Sequence, residues 1–490
     1  DMKSVAVIGG GFGGIAAAIR LKARGNEVTI YERLDKLGGR AQVFKKDGYL
    51  HDAGPTVITA PNLFYELFEL FGENLEDHLE FKPLSTWYRF RFNDQTEFDY
   101  GSDKEKMLSQ IEELSPEDVS GYLNMLKASQ EIFKLGYEKL AGHPFNRLST
   151  MLRYGPDIIK MRGYRSVYSF VSKYIKHPNL RQAFSIQPLL VGGNPFTTSS
   201  IYSLIHALEQ KWGIFFCMGG TGKLVFELEK LMLRNGIKIN YSSDVTHFST
   251  SNKLISRINF SNNESRAFDY FISNADPIQV STELLKNKKI SFHNQLINKY
   301  AKHSMGLFVL FFGSSKCYEN VAHHTIWMGP RYKEILEDIF DNYHLSEDFS
   351  IYLHRPTCTD KSFAPSNHDS FYALVPVPNL KGEQDWSKIK EEFSKRILNA
   401  LDKTIMPGIN INAKEIFCMT PEDFKTNYRT PFGSGFSIAP ILTQSAWFRT
   451  HNQDDMYKNL FYVGAGTHPG AGVPGVINSA KVVEKIIYHD

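Results

Sequence analysis

Near its start the chain reads Ser4-Val5-Ala6-Val7-Ile8-Gly9-Gly10-Gly11-Phe12-Gly13-Gly14-Ile15-Ala16-Ala17-Ala18-Ile19. Ser4 to Ile8 is short, apolar and partly β-branched, the pattern of a parallel strand buried on both faces. Ile15 to Leu21 is helical in composition, and Gly25 ends that helix. Val28 to Tyr31 predicts a second buried strand, closed by Glu32. The order is a βαβ unit in its shortest form. Within it, G-x-G-x-x-G falls at Gly9, Gly11 and Gly14, with Phe12 and Gly13 in the same loop. Gly9 allows the tight turn off the strand. Gly11 leaves room for a pyrophosphate to approach the backbone. Gly14 lets the helix pack close to the sheet. The helix N-terminus offers free N–H groups and a favourable dipole to the phosphates. Glu32, followed by Arg33, is spaced to accept ribose hydroxyls and disfavours a 2′-phosphate.

Two further glycine clusters extend this dinucleotide site to FAD. Gly38-Gly39-Arg40 comes just after the second strand, where a nicotinamide domain needs no second glycine pair and an arginine meets a phosphate. Gly54-Pro55-Thr56 follows in a turn that faces the flavin. Near the other end the chain reads Gly464-Ala465-Gly466-Thr467-His468-Pro469-Gly470-Ala471-Gly472-Val473-Pro474-Gly475. That loop lies between the strand Leu460 to Val463 and a closing helix, and its N–H groups suit the remaining phosphate and the flavin edge.

Bulk composition narrows the rest. The 490 residues are 42% hydrophobic and 22% charged, as in ordinary globular proteins, and exceed one ordinary domain. A net charge of +3 carries no nucleic-acid footprint. With 36 Phe and 24 Tyr there is material for a large apolar cavity. The four cysteines have no C-x-x-C spacing, so no metal is expected and a reducing compartment is. The longest apolar run, Met305 to Phe312, falls far short of the ~20 residues of a membrane span. A strand pattern beginning at Ser4 predicts no signal peptide.

The expected fold class is α/β. It comprises a discontinuous Rossmann-like FAD-binding domain from residues 1–95, 212–280 and 455–490. A mostly helical, membrane-associating region spans 96–211, and a mixed-sheet substrate domain is inserted at 281–454. Arg147 to Lys176 carries seven cations against Asp157, interleaved with aromatics and aliphatics, a pattern that fits a helix lying in a membrane interface.

Taken together, the three glycine motifs resemble the FAD-dependent amine oxidase and carotenoid desaturase superfamily. Arg181 to Phe184, Leu189 to Phe196, Ser199 to Tyr202, Gly219 to Gly222 and Leu442 to Arg449 resemble the bacterial-type phytoene desaturases in particular. The resemblance runs over essentially the whole chain. It implies that FAD is held by the glycine-loop residues already named, by Gly464, Ala465, Gly466, Gly472, Val473 and Pro474, and by Val245, Asn274 and Ala275. It implies a long polyene hydrocarbon as substrate, with phytoene drawn from a membrane and lycopene or a less desaturated carotene returned. Diapophytoene, a hydroxycarotenoid or another carotene remains open as substrate. With no second nicotinamide motif, oxygen or a quinone is the expected electron acceptor. The expected location is cytoplasmic, on the inner face of the cell membrane. Arg153 and His468 are the candidate catalytic residues. Thr150 stands where the family has an Asp three residues before that arginine, so no carboxylate base is expected there. A prenyl-binding protein of the GDP-dissociation-inhibitor type shares the first motif, but the intact C-terminal loop argues against it. An amine oxidase is a third option, opposed by the residues around Gly192 to Phe196.

Overall fold

The computed structural model describes all 490 residues. Its first layer is a five-stranded parallel sheet in the order Leu460–Tyr462, Tyr270–Ser273, Ser4–Ile8, Glu27–Tyr31, Lys238–Asn240. Val5, Ala6 and Val7 are fully buried at its centre. The helix Phe12–Ala23 packs on the C-terminal helix Val473–Tyr488. Arg20, almost completely buried, fastens the two with an ion pair to Glu484 at 3.2 Å and ties in the helix Asn62–Glu69 through Glu66 at 2.8 Å. The two ends of the chain thus share one core, as a composite FAD domain requires.

The second layer is a seven-stranded sheet in the order Ala413–Met419, Gly306–Ser314, Asp369–Val377, Ile351–His354, His324–Trp327, Thr86–Arg91, Glu97–Gly101. All neighbours are antiparallel except His324–Trp327 with Thr86–Arg91. Gly306–Ser314 is buried throughout, which is why it reads as an unbroken apolar run. Its residues alternate with the strand period. Phe308 packs on Trp386 and Phe393 of the helix Trp386–Asp402, while Leu307, Val309 and Phe311 face the other way into a chamber.

This topology moves one expected boundary. Thr86–Arg91 and Glu97–Gly101 complete the seven-stranded sheet, so the first FAD segment ends before residue 95 and the next region opens with a strand. Neither strand contains a glycine signal or a charge break to mark the change of sheet, and only pairing to the distant strand His324–Trp327 reveals it. From Lys104 to Trp212 the chain is mainly helical and caps the chamber. No helix is long and apolar enough to cross a membrane.

Candidate active site

The parallel sheet delivers the glycine loop to its C-terminal edge, where open α/β sheets bind ligands. Gly9 takes a φ of +95°, which only glycine adopts without strain. A Cβ on Gly11 would lie 2.6 Å from Asn274 Nδ2, and one on Gly13 would lie 2.9 Å from the backbone of Gly464. Asn274 therefore wedges between the first and last glycine loops, 190 residues from one and 260 from the other by sequence. Gly14 meets the carbonyl of Gly9 at 2.1 Å from its would-be Cβ, which is the close helix–strand contact expected of the third glycine. Glu32 is buried, with Oε1 accepting from Gly10 N at 3.0 Å and Oε2 from Leu34 N at 2.8 Å. These bonds hold its carboxylate at the end of the strand.

One cavity of about 670 Å³ connects all of this to the chamber over the seven-stranded sheet. Of the residues expected to hold FAD, every one lines the cavity except Gly13 and Gly14, whose part is packing. Gly11 leaves its space open, Glu32 stands at the ribose position, and Arg40 faces in with its guanidinium bonded to the carbonyl of Gly435. Burial works against the charge of Arg40, and Asp276 opposes that effect. This arrangement fits a dinucleotide with an extended second half. Asp52, next to the turn at Gly54, plays a structural part: it accepts from Thr221 N at 2.7 Å and Gly222 N at 3.2 Å, and burial pushes its carboxyl up to about 6.

The two expected catalytic residues fare differently. Arg153 is exposed on the helix Leu148–Lys160, over the ring of Tyr154, and does not line the cavity. Its charge is thus open to solvent outside the cavity wall. His468 does line the cavity, buried against Phe145, with Nε2 bonded to the carbonyl of Leu140 at 3.0 Å. Desolvation lowers its pKa to about 4, so it is a neutral, anchored ring at physiological pH.

Several further residues take their place around the cavity only through the fold. Arg449, 1% exposed, donates to the carbonyl of Ala465 and so props the C-terminal loop. Asp276 accepts from Ser437 Oγ at 2.6 Å beside Gly466. Deeper in, Leu307, Val309, Phe311 and Leu374 form an apolar floor, while Met151, Ile158 and Leu204 belong to the helical roof. The floor also has a polar patch, in which Thr56 Oγ1 meets Tyr372 Oη at 2.6 Å and Tyr352 Oη at 3.3 Å. Glu209 lines the same cavity fully buried, with Tyr100 Oη donating to Oε1 at 3.3 Å and the Gln187 side chain also nearby. Burial raises its carboxyl to about 8. Nothing in the local sequence marks Glu209, since a lone acid in a helix reads as surface.

Comparison with known proteins agrees with this geometry. The family model for flavin containing amine oxidoreductases matches residues 12–483. The lycopene-forming phytoene desaturase of Pantoea ananas is 43% identical over 490 residues, covering 100% of both chains. The neurosporene-forming phytoene desaturase of Cereibacter sphaeroides is 38% identical and covers 99% of this chain and 95% of its own. Among solved structures, an oxidoreductase from Methanosarcina mazei superposes with a TM-score of 0.69 at 16% identity, covering 98% of this chain and 100% of its own, a likeness of fold.

Proposed function

We propose, from the premise that this chain belongs to the flavin containing amine oxidoreductase family, that it is an FAD-dependent carotenoid desaturase that removes hydrogen pairs from phytoene to form lycopene or a partly desaturated carotene. One observation carries the reading: the glycine loops and a chamber lined largely by apolar side chains are parts of one cavity. A charged or amine substrate would meet few partners there, whereas a polyene needs none.

Gly9, Gly11, Glu32, Arg40 and the loop Gly464 to Pro474 are the residues that would hold the cofactor. When bound, FAD would supply the hydride acceptor that breaking an allylic C–H bond of the polyene requires. The chain itself does three things. The floor of Leu307, Val309, Phe311 and Leu374 aligns an extended hydrocarbon and keeps water from an electron-poor carbon. Asn274 and Arg449 fix the two glycine loops relative to each other. Glu209, with its carboxyl near 8, is able to hold or release a proton inside the chamber close to neutral pH.

Substrate delivery is read as coming from a membrane surface. Leu148, Leu152, Ile159 and Tyr164 are 51–69% exposed beside Arg147, Arg153, Lys160, Arg162 and Arg165. The same segment contributes Met151 and Ile158 to the chamber roof. An apolar strip rimmed by cations, directly above the chamber, suits docking on anionic lipid at the inner face of the cell membrane. A membrane quinone, or oxygen, then serves as electron acceptor. Co-expression with a phytoene-producing pathway tests the function. Accumulated lycopene or neurosporene is the expected product. Untouched phytoene, with conversion only in a strain that makes diapophytoene, would reassign the substrate.

A further inference from the structure

We propose that His323, His324 and His354 form a site for a divalent transition-metal ion of the zinc class, set behind the chamber wall and separate from the cofactor loops. The three lie at the N-terminal end of the strand His324–Trp327 and the C-terminal end of Ile351–His354, where His324 and His354 are directly opposed in the antiparallel ladder. All three are buried, and the ring nitrogens that could ligate lie within 4.8 Å of one another. No carboxylate or thiolate belongs to the group.

Three independent features of the cluster point to a metal. The first is unmet hydrogen bonding. His323 Nε2, His324 Nε2 and both ring nitrogens of His354 are buried without a partner. Each such group forfeits about 1–3 kcal/mol in a buried site, and an ion held by one nitrogen of each ring would satisfy three of the four. The second is the state of the outer nitrogens. His323 Nδ1 meets Thr359 Oγ1 at 2.6 Å, and His324 Nδ1 meets the hydroxyl of Tyr352. Engaging one nitrogen orients the ring and turns the other inward, as the outer partners of metal-bound histidines do. The third is ring spacing. Metal–nitrogen bonds of about 2.0–2.1 Å at tetrahedral angles put imidazole centres about 5 Å apart. The observed centroid separations are 4.6, 4.9 and 5.3 Å.

The surroundings permit a cation. Arg355, the nearest fixed positive charge in the sequence, is neutralised by Asp369 at 3.1 Å. Three neutral imidazoles suit zinc and its neighbours better than calcium or magnesium, and leave a fourth position for a small solvent-derived ligand. The ion would tie two strands of the chamber floor and, through His324, fix Tyr352 in the cavity wall.

Metal content of the holoenzyme decides this without reference to activity. The full chain, produced in zinc-replete medium with an affinity tag free of histidine and dialysed against a chelator, is assayed for zinc and for flavin. Zinc equimolar with the chain is expected, lost in His324→Gln/His354→Gln while flavin absorbance stays. Growth in cobalt medium should give visible absorption bands to the red of the flavin, absent in the same variant. If the double variant does not fold, His323→Gln takes its place. A wild-type holoenzyme without equimolar zinc or cobalt overturns the proposal, and so does a folded variant that keeps its metal.

Discussion

The cavity has two halves built by opposite means. Around the cofactor position the protein works with backbone: Gly9, Gly11, Gly39, Gly464 and Gly466 remove side chains so that N–H groups and close packing do the binding. Over the seven-stranded sheet it works with side chains: Leu307, Val309, Phe311, Tyr352, Tyr372 and Glu209 arrive from separate strands and a helix. The first half tolerates almost no added atom. The second should tolerate changes of shape, with each change redirecting which hydrocarbon fits. Substitutions in the two halves should therefore fail differently, one by losing the cofactor and the other by altering product or stability while the flavin stays bound.

Gly11→Val is the harshest way to probe the difference. Its first added carbon already sits 2.6 Å from Asn274 Nδ2, in the space a pyrophosphate needs. FAD affinity should fall at least ~100-fold, about 3 kcal/mol or more, and the purified protein should be colourless. A yellow, active variant would break the account of the backbone half.

Glu209→Gln probes the other half through pH. In the folded chain the carboxyl stays protonated up to about 8, against an ordinary 4.5 once unfolded. The unfolded chain thus releases this proton first, so the contribution of Glu209 to stability is largest below 4.5 and is lost as pH rises from 4.5 to about 8. The gap is worth up to ~5 kcal/mol. Melting temperatures at pH 5 and pH 8 should differ less in Glu209→Gln than in the wild type, with flavin content unchanged. Parallel curves would remove Glu209 from the chamber's electrostatics.

Smaller effects follow at the edges. Glu32→Ala frees the N–H groups of Gly10 and Leu34 and removes a ribose acceptor, so FAD affinity should drop by ~10–100-fold, about 1.4–2.8 kcal/mol, in a flavin titration. Leu152→Glu/Ile159→Glu places two acids in the exposed strip at the roof. Co-sedimentation with anionic liposomes should weaken by ~10-fold, with bound FAD unaffected. Full liposome binding by that variant would move the membrane contact elsewhere.

How far the sequence could be read follows the same division. Backbone sites leave contiguous signatures, because each glycine must stand at a fixed position in one loop. The strand Ser4–Ile8, the loop Gly9 to Gly14, Glu32 and the loop Gly464 to Pro474 were all readable for that reason, and the residues expected around them converge on one cavity. The chamber leaves no such trace. Thr86–Arg91 joins its sheet by pairing with a strand more than 230 residues away, so no local signal marks the change of sheet. Arg153 attracted attention as a charge among aromatics, yet it lies on the outer face of an amphipathic helix. Glu209 and the three clustered histidines stand out through burial, which pairing across the fold creates and local pattern does not encode.

The central claim is that hydrocarbon in the chamber reacts directly with the cofactor bound at the glycine loops. Anaerobic mixing of the purified holoprotein with phytoene in liposomes tests it most directly, following flavin and polyene absorbance together. The account predicts bleaching of the flavin band in step with the appearance of a longer conjugated chromophore, both slowed by bulky substitution at Val309. Flavin that stays oxidised while phytoene is bound, or that bleaches without a new polyene band, would contradict it.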